Sequence, residues 1–339
     1  MDANRAPPYA ELTPDCVLDA LSSVGLSGDG RLLSLNSYEN RVYQVWLDDG
    51  APTGGLQVQA PSVVAKFYRP RRWNDAQIAE EHAFVSKLAE LEIPAVAPFR
   101  LGGKSTIASF RGFRFAVYPR CGGRAPELED RSTLEWMGRF IGRIHRVGAV
   151  APFAERPALD IATFGEEPRD WLVAHDFIPA DIAEAWKSVV ALALDGVRRC
   201  FERAGAVRTL RLHGDCHAGN VLWTDAGPHF VDFDDARMGP AVQDLWMLLS
   251  GNRDDMQRQL RAIVSGYEDF HDFDDRELWL IEALRTLRLI HYSAWLARRW
   301  DDPAFPAAFP WFNTQRYWQD RILELREQIA AMDETVLVL

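Results

Sequence analysis

Apolar and polar positions follow two different rhythms along this chain, and the change between them comes about a third of the way in. The first periodic stretch, residues 13–24, is helical: Thr13 is placed to cap it, Pro14 suits the first turn, and Gly25 ends it. Residues 31–36 and 40–47 follow, the second rich in β-branched and aromatic side chains, then turn chemistry at 48–55 and a third extended run ending at 63–68. The pattern predicts a helix over 74–91, with Asn74 and Gln77 spaced as a capping box, and strands near 105–109 and 113–118. Residues 119–126, rich in Pro, Gly and Arg, form a linker. Beyond it the spacing is helical: Leu134, Met137, Ile141 and Ile144 line one face, and further helices are expected at 181–204, 241–250, 254–268, 275–300 and 313–332. Only 210–235 interrupts them, and residues 303–310 are expected to be a rigid loop. The expected architecture is α+β, with a small antiparallel sheet lobe over 1–118, a hinge at 119–125 and a larger helical lobe over 126–339. This order is not the βαβ alternation of a doubly wound dinucleotide fold.

Composition adds exclusions. The chain has 339 residues, 38 Lys plus Arg against 49 Asp plus Glu, and a net charge of −11. An acidic balance argues against nucleic acid as a partner. No apolar run reaches the roughly 20 residues that span a bilayer, so no membrane partner is expected, and the first residues lack the apolar stretch of a secretory signal. Cys16, Cys121, Cys200 and Cys216 show no paired spacing, which fits a reducing compartment; a cytoplasmic location is expected. The 12 tryptophans, concentrated beyond the hinge, fit bulky packing in a helical lobe.

The densest chemistry lies at 213–235. His213-Gly-Asp215-Cys-His-Ala-Gly-Asn220 is followed, after a turn, by a short apolar run and Asp232. Asp215 and Asn220 have the spacing of the kinase loop H-R-D-x-x-x-x-N, in which the Asp accepts the substrate hydroxyl proton and the Asn coordinates Mg²⁺. Asp232 takes the place of the second, metal-binding carboxylate. Asp and Asn also gather in turns for local reasons, so a single match carries little; weight comes from two apolar runs and a second carboxylate in register. Asp234 and Asp235 are extra carboxylates; Asp234 is expected to bond within the turn near Arg237, with assistance to a second metal as the alternative. Asp244 is expected to accept backbone hydrogens from the 213–220 loop. His213 is assigned a structural role rather than metal ligation, and Cys216 is a small packed residue.

A nucleotide also needs a cation for its phosphates. Lys66 in V-V-A-K resembles the strand lysine of kinases. Glu80 and Glu81 stand at a suitable distance on the next helix, and Glu81 is preferred because Phe84, Leu88 and Leu91 share its side. No glycine-rich loop precedes it; Ser37 and Asn40, between the first strands, are the candidates for phosphate contact, and Tyr118 joins them as a nucleotide-binding candidate.

Together these residues resemble the aminoglycoside phosphotransferase/choline kinase-like superfamily, a branch of the protein-kinase-like bilobed fold, through H-G-D-x-H-x-G-N and the later apolar-Asp. The blocks 35–44, 64–70, 212–220, 231–237, 239–249 and 300–306 are more closely similar to the bacterial stress response kinase A family of Ser/Thr protein kinases. One departure is the Gly- and Pro-rich segment 50–62, expected to lengthen a hairpin. The resemblance implies an ATP- and Mg²⁺-dependent, monomeric cytoplasmic kinase that supports survival under stress by phosphorylating protein Ser/Thr hydroxyls, with Asp215 as proton acceptor, Asn220 and Asp232 on Mg²⁺, and Ser37 at the ATP phosphates. A small-molecule phosphotransferase acting on an amino alcohol, sugar or antibiotic shares the same loop, and the acidic surface suits a cationic substrate of that kind. A non-catalytic pseudokinase is the third reading, and the intact set Lys66, Asp215, Asn220 and Asp232 speaks against it.

Overall fold

A computed structural model describes residues 7–339 apart from 51, 52, 54, 57, 59 and 104. The chain start at 1–6 and five residues of the 50–62 segment therefore lie outside the described residues. Helix α1 (Pro14–Ser22) begins where Thr13 caps it, the Thr13 side chain accepting from the Cys16 backbone N–H. Five strands follow, interrupted by one helix: β1 (Gly28–Leu35), β2 (Arg41–Leu47), β3 (Ser62–Phe67), α2 (Asp75–Glu90), β4 (Ala108–Phe110) and β5 (Phe113–Pro119). They form one antiparallel sheet in the order β1-β2-β3-β5-β4.

Alternation of side chains gives this sheet two apolar faces. Val63, Ala65 and Phe67 of β3 and Phe115 and Val117 of β5 pack with Cys16, Val17, Ala20 and Leu21 of α1. The alternate positions on the other face, Tyr68 and Ala116, pack with Ile78 of α2. Lys66 belongs to this second face by the same alternation. Helix α2 starts with the expected reciprocal cap, Asn74 and Gln77 each accepting from the other's backbone N–H.

The remaining elements are α3 (Arg131–Gly148), a single π-helical turn at Ala162–Glu166, α4 (Glu167–Ala174), α5 (Ala183–Ala204), β6 (Leu210–Leu212), β7 (Val221–Thr224), β8 (Gly227–Phe230), β9 (Arg237–Gly239), α6 (Val242–Trp246), α7 (Arg253–Tyr267), α8 (Ile281–Arg298), α9 (Ala304–Ala308) and α10 (Gln315–Asp333). The sequence pattern misses the turn and α4, which are short and carry Pro168 in the first turn of α4. It also reads 303–310 as loop, whereas α9 forms there. Proline is tolerated in a first turn, and the Asp302 carboxylate accepts the Ala304 N–H at 3.1 Å.

The chain forms two compact units. One holds residues up to Pro126 together with Gly219–Asp234, and the other holds Glu127–Ala218 and Asp235–Leu339. A cut at a single hinge leaves 219–234 with the helical part, but the β7–β8 hairpin bonds within the first unit: Phe230 N–H donates to the Pro94 carbonyl at 2.7 Å, and Trp223 exchanges backbone hydrogen bonds with Arg124. No helix among the described residues is long and apolar enough to cross a membrane.

In the second unit α3 and α7 pack with their backbones in close approach. A Cβ on Gly138 would run into the Ile263 carbonyl oxygen, and one on Gly266 into the Glu135 carbonyl oxygen. Alanine in a helix normally gains about 1 kcal/mol over glycine. Here a backbone atom has to give way, and overpacking of a filled core costs about 1–3 kcal/mol. Gly138→Ala is therefore expected to destabilise the protein, with calorimetry showing a melting temperature lowered by several degrees; an unchanged or raised value would contradict this packing.

Candidate active site

The first unit contains a cavity of about 380 Å³. Its lining includes Ser37 in the turn after β1, Lys66 on β3, Glu81 on α2, Tyr118 on β5, and Asn220 and Asp232. Six residues singled out by chemistry from five separate stretches of chain thus share one space. The β7–β8 hairpin accounts for two of them. It pairs Val221 with Phe230, and Val231 N–H donates to the Asn220 carbonyl at 3.0 Å. This holds Asn220 just before the hairpin near Asp232 just after it. Asp232 has a left-handed backbone (φ 59°), a conformation that costs an L-residue roughly 1–3 kcal/mol and is often found at functional positions.

Lys66 is buried, and its ammonium lies 2.8 Å from Asp232 and 3.2 Å from Asp234. Burial alone lowers a lysine pKa; here Asp232, Asp234 and Glu81 outweigh it and hold the ammonium well above its usual range. Glu81 thus acts on Lys66 as the third carboxylate by strength, while the direct ion pairs run to the two aspartates. Asp234 departs from expectation. Asp235 is the residue that pairs with Arg237, at 2.7 Å, whereas Asp234 is buried with Lys66 and Arg72. Arg72 was not legible in the sequence, because it lies 162 residues from its partner.

Tyr118 is tied into a buried polar cluster. Its hydroxyl lies 3.0 Å from that of Tyr68 and 3.2 Å from His82 Nε2. His82 Nδ1 is 2.7 Å from the Thr106 hydroxyl. The Lys66 ammonium stands 5.4 Å from the Tyr68 ring centre, so the cluster also flanks the cation. Asn40 is not among the cavity-lining residues. It is buried, and its side-chain oxygen accepts the Arg69 N–H at 3.1 Å, which anchors the turn after β1 to the end of β3.

Asp215 lies in the second unit, on the loop after β6. Its carboxylate is 2.9 Å from Arg288 Nη1 and 3.5 Å from His217 Nε2. Burial pushes its pKa up, but the hydrogen bond with His217 and the charge of Arg288 prevail and hold it below the usual carboxylate value. The backbone of this loop hangs on Asp244, as expected. One Asp244 oxygen accepts the His213 N–H and the other the Gly214 N–H, both at 2.8 Å. His145 Nε2 lies 3.0 Å from the same carboxylate, and His145 Nδ1 lies 2.9 Å from the Tyr267 hydroxyl. An ionised carboxylate only accepts, so Nε2 carries the hydrogen, and in the neutral ring Nδ1 accepts from Tyr267. His213 is buried, its Nδ1 accepting the Asp215 N–H at 3.3 Å, and Cys216 is packed away from solvent; both have the structural roles expected of them.

Replacing Asp244 with asparagine turns one acceptor of this buried set into a donor. The mismatch should cost about 1–3 kcal/mol, seen as a lower melting temperature. Turnover should fall while nucleotide affinity is retained, because the nucleotide candidates sit on the other unit. Equal losses of both would refute the assignment.

Comparison with known proteins agrees with this arrangement. The family model described as "Phosphotransferase enzyme family" matches residues 31–279. "Stress response kinase A" of Escherichia coli K12 is 43% identical over 336 residues, covering 99% of this chain and 98% of that protein. "Serine/threonine protein kinase RdoA" of Salmonella typhimurium is 43% identical over 331 residues, covering 98% and 97%. Among solved structures, the amicoumacin kinase hAmiN in complex with AMP-PNP, Ca²⁺ and Ami aligns with a TM-score of 0.71 at 18% identity over 98% of this chain and 96% of that one. A microcompartment-associated aminopropanol kinase aligns with a TM-score of 0.65 at 17% identity over 94% and 96%. The five-stranded antiparallel sheet and the helical unit are thus those of the kinase-like fold, and the chain belongs to the phosphotransferase enzyme family and, within it, to the stress response kinase A family.

Proposed function

We propose that this chain is an ATP- and Mg²⁺-dependent Ser/Thr protein kinase of a stress response, with Asp215 as the base. The observation that carries the nucleotide half is the cavity shared by Ser37, Lys66, Glu81, Tyr118, Asn220 and Asp232. Support for a protein acceptor comes from identity of 43% along nearly the whole chain to a relative named as a serine/threonine protein kinase.

The donor set fits Mg²⁺. Asn220 and Asp232 offer an amide and a carboxylate oxygen, the hard donors this ion prefers. The Asp232 side chain is 48% exposed, so its carboxylate is accessible despite the bond to Lys66. Among the described residues no group of three or more His, Cys, Asp or Glu is arranged to hold a metal ion. Two protein ligands suit an ion whose remaining positions are filled by phosphate and water. When bound, Mg²⁺ would offset the charge of the transferring phosphoryl group.

The protein's own residues do the rest by position. Lys66 supplies a fixed cation for the nucleotide phosphates, kept charged by three carboxylates. Ser37 offers a hydroxyl in the turn after β1. Asp215 accepts the proton of the acceptor hydroxyl as its oxygen bonds to the γ-phosphorus and ADP leaves. Phosphoryl transfer asks little more than such positioning and charge compensation.

With radiolabelled ATP and a panel of protein acceptors, Asp215→Asn should lower turnover by roughly 10²–10⁴-fold, the usual worth of a general base, and leave nucleotide affinity unchanged. An equally active variant would remove Asp215 from this role. Transfer only to metabolites, read by coupled ADP release, would replace the protein acceptor with a small molecule. In calorimetry, Mg²⁺ without nucleotide should bind weakly, and Asp232→Asn should abolish the Mg²⁺-dependent part of ATP binding. Tight Mg²⁺ binding by the nucleotide-free protein would contradict a two-ligand site.

A further inference from the structure

The assigned base is already engaged by a cation. Arg288, on α8, places Nη1 2.9 Å from Asp215 Oδ1, and its side chain is 40% exposed. Its neighbours are matched differently: Arg237 pairs with Asp235 at 2.7 Å, Arg298 lies 3.6 Å from Glu167, and Arg285 pairs with Glu282 at 2.9 Å. Arg288 is thus set apart from these three arginines by pairing with the carboxylate that has to receive the acceptor proton. One turn further along α8, His291 stacks on Phe164 with ring centres 4.2 Å apart. Burial first, and then the charge of Arg237, press its pKa down to about 3, with Arg299 and Arg288 adding to the effect against Asp235.

We propose that the phosphoacceptor is a Ser or Thr flanked by anionic side chains, and that Arg288 recognises the anion by transferring to it from Asp215. This rests on the reading of Asp215 as base. A guanidinium stays charged and presents a planar fork of donors to carboxylate or phosphate. A hydroxyl arriving at Asp215 competes with Arg288 for the same oxygen, and an anion carried beside that hydroxyl gives the guanidinium a new partner. The exchange has a second effect. Arg288 helps to hold the Asp215 pKa down, so its departure makes the carboxylate a stronger base as the acceptor docks. The proton then passes from the acceptor hydroxyl to Asp215, the acceptor oxygen bonds to the γ-phosphorus, and the bond to the β–γ bridging oxygen breaks to release ADP.

A cationic acceptor would instead meet Arg288 at contact distance. The net charge of −11 favours cations at long range, but exposed charges farther away than about 8 Å are largely screened at physiological salt. The nearest cation therefore outweighs the overall balance in selecting the acceptor.

Matched serine peptides flanked by glutamate, phosphoserine, neutral residues or arginine test this, with phosphate transfer followed as kcat/KM. The wild type should prefer both anionic peptides over the arginine peptide by at least about tenfold, equivalent to about 1.4 kcal/mol; the ratio of the two anionic peptides distinguishes carboxylate from phosphate as the flanking group. Arg288→Gln should remove the preference, Arg288→Glu should invert it, and Arg288→Lys should restore part of it. In Arg288→Gln the acid limb of the kcat/KM profile should move to higher pH, because a charge that lowers the Asp215 pKa is gone; a purely structural residue would not move it. Equal use of all peptides by the wild type, or an equal loss on all of them in Arg288→Gln, would overturn the role of Arg288 and leave the kinase reading standing. Transfer to none of the peptides would overturn both.

Discussion

Burying the ammonium of Lys66 is the constraint that organises the first unit. An isolated charge in a low-dielectric interior is prohibitively costly, so it must be matched by carboxylates. β3 supplies the lysine and α2 supplies Glu81, but its two ion pairs come from Asp232 and Asp234, more than 160 residues later. The need for those carboxylates helps explain why the hairpin β7–β8 and its downstream turn are grouped with the N-terminal sheet. It also places Asn220 in the same cavity, because the hairpin that delivers Asp232 begins next to it.

The second unit answers a similar demand with a different residue. Asp244 satisfies two backbone N–H groups and one imidazole, and the imidazole is held by Tyr267. The glycine-mediated approach of α3 and α7 carries His145 and Tyr267, on neighbouring helices, into contact. Core packing and loop geometry are thus one system: a displacement of α7 against α3 reaches Asp215 through three hydrogen-bonded side chains.

The sheet, α2 and α3 were legible in the sequence because their signals are local, in alternating apolar strands, the Asn74/Gln77 cap and a helical stripe from Leu134 to Ile144. Candidate residues were legible where their spacing is local, as at Asp215 and Asn220, of which the cavity holds Asn220. Residues 162–174 were not, since a π-helical turn followed by a two-turn helix offers no stable apolar period. The assignment of Asp234 to a local turn failed for a related reason: its partners, Lys66 and Arg72, are distant in sequence and leave no trace in the residues around it. Asn40 was a polar residue in the right loop, yet its bond to the Arg69 backbone is structural. Arg288 stands on a helix that carries several arginines, and the proximity of this one to Asp215 depends on tertiary packing.

The composition of the first unit from two stretches of chain has a consequence in time. Ninety-two residues, 127–218, separate its two parts. At about 5–20 residues per second, a ribosome needs about 5–20 s to make them. During synthesis the sheet and α2 emerge well before the hairpin, and Lys66 must wait for Asp232 and Asp234. The nucleotide cavity is therefore a late product of translation, completed only after nearly half of the helical unit has been made.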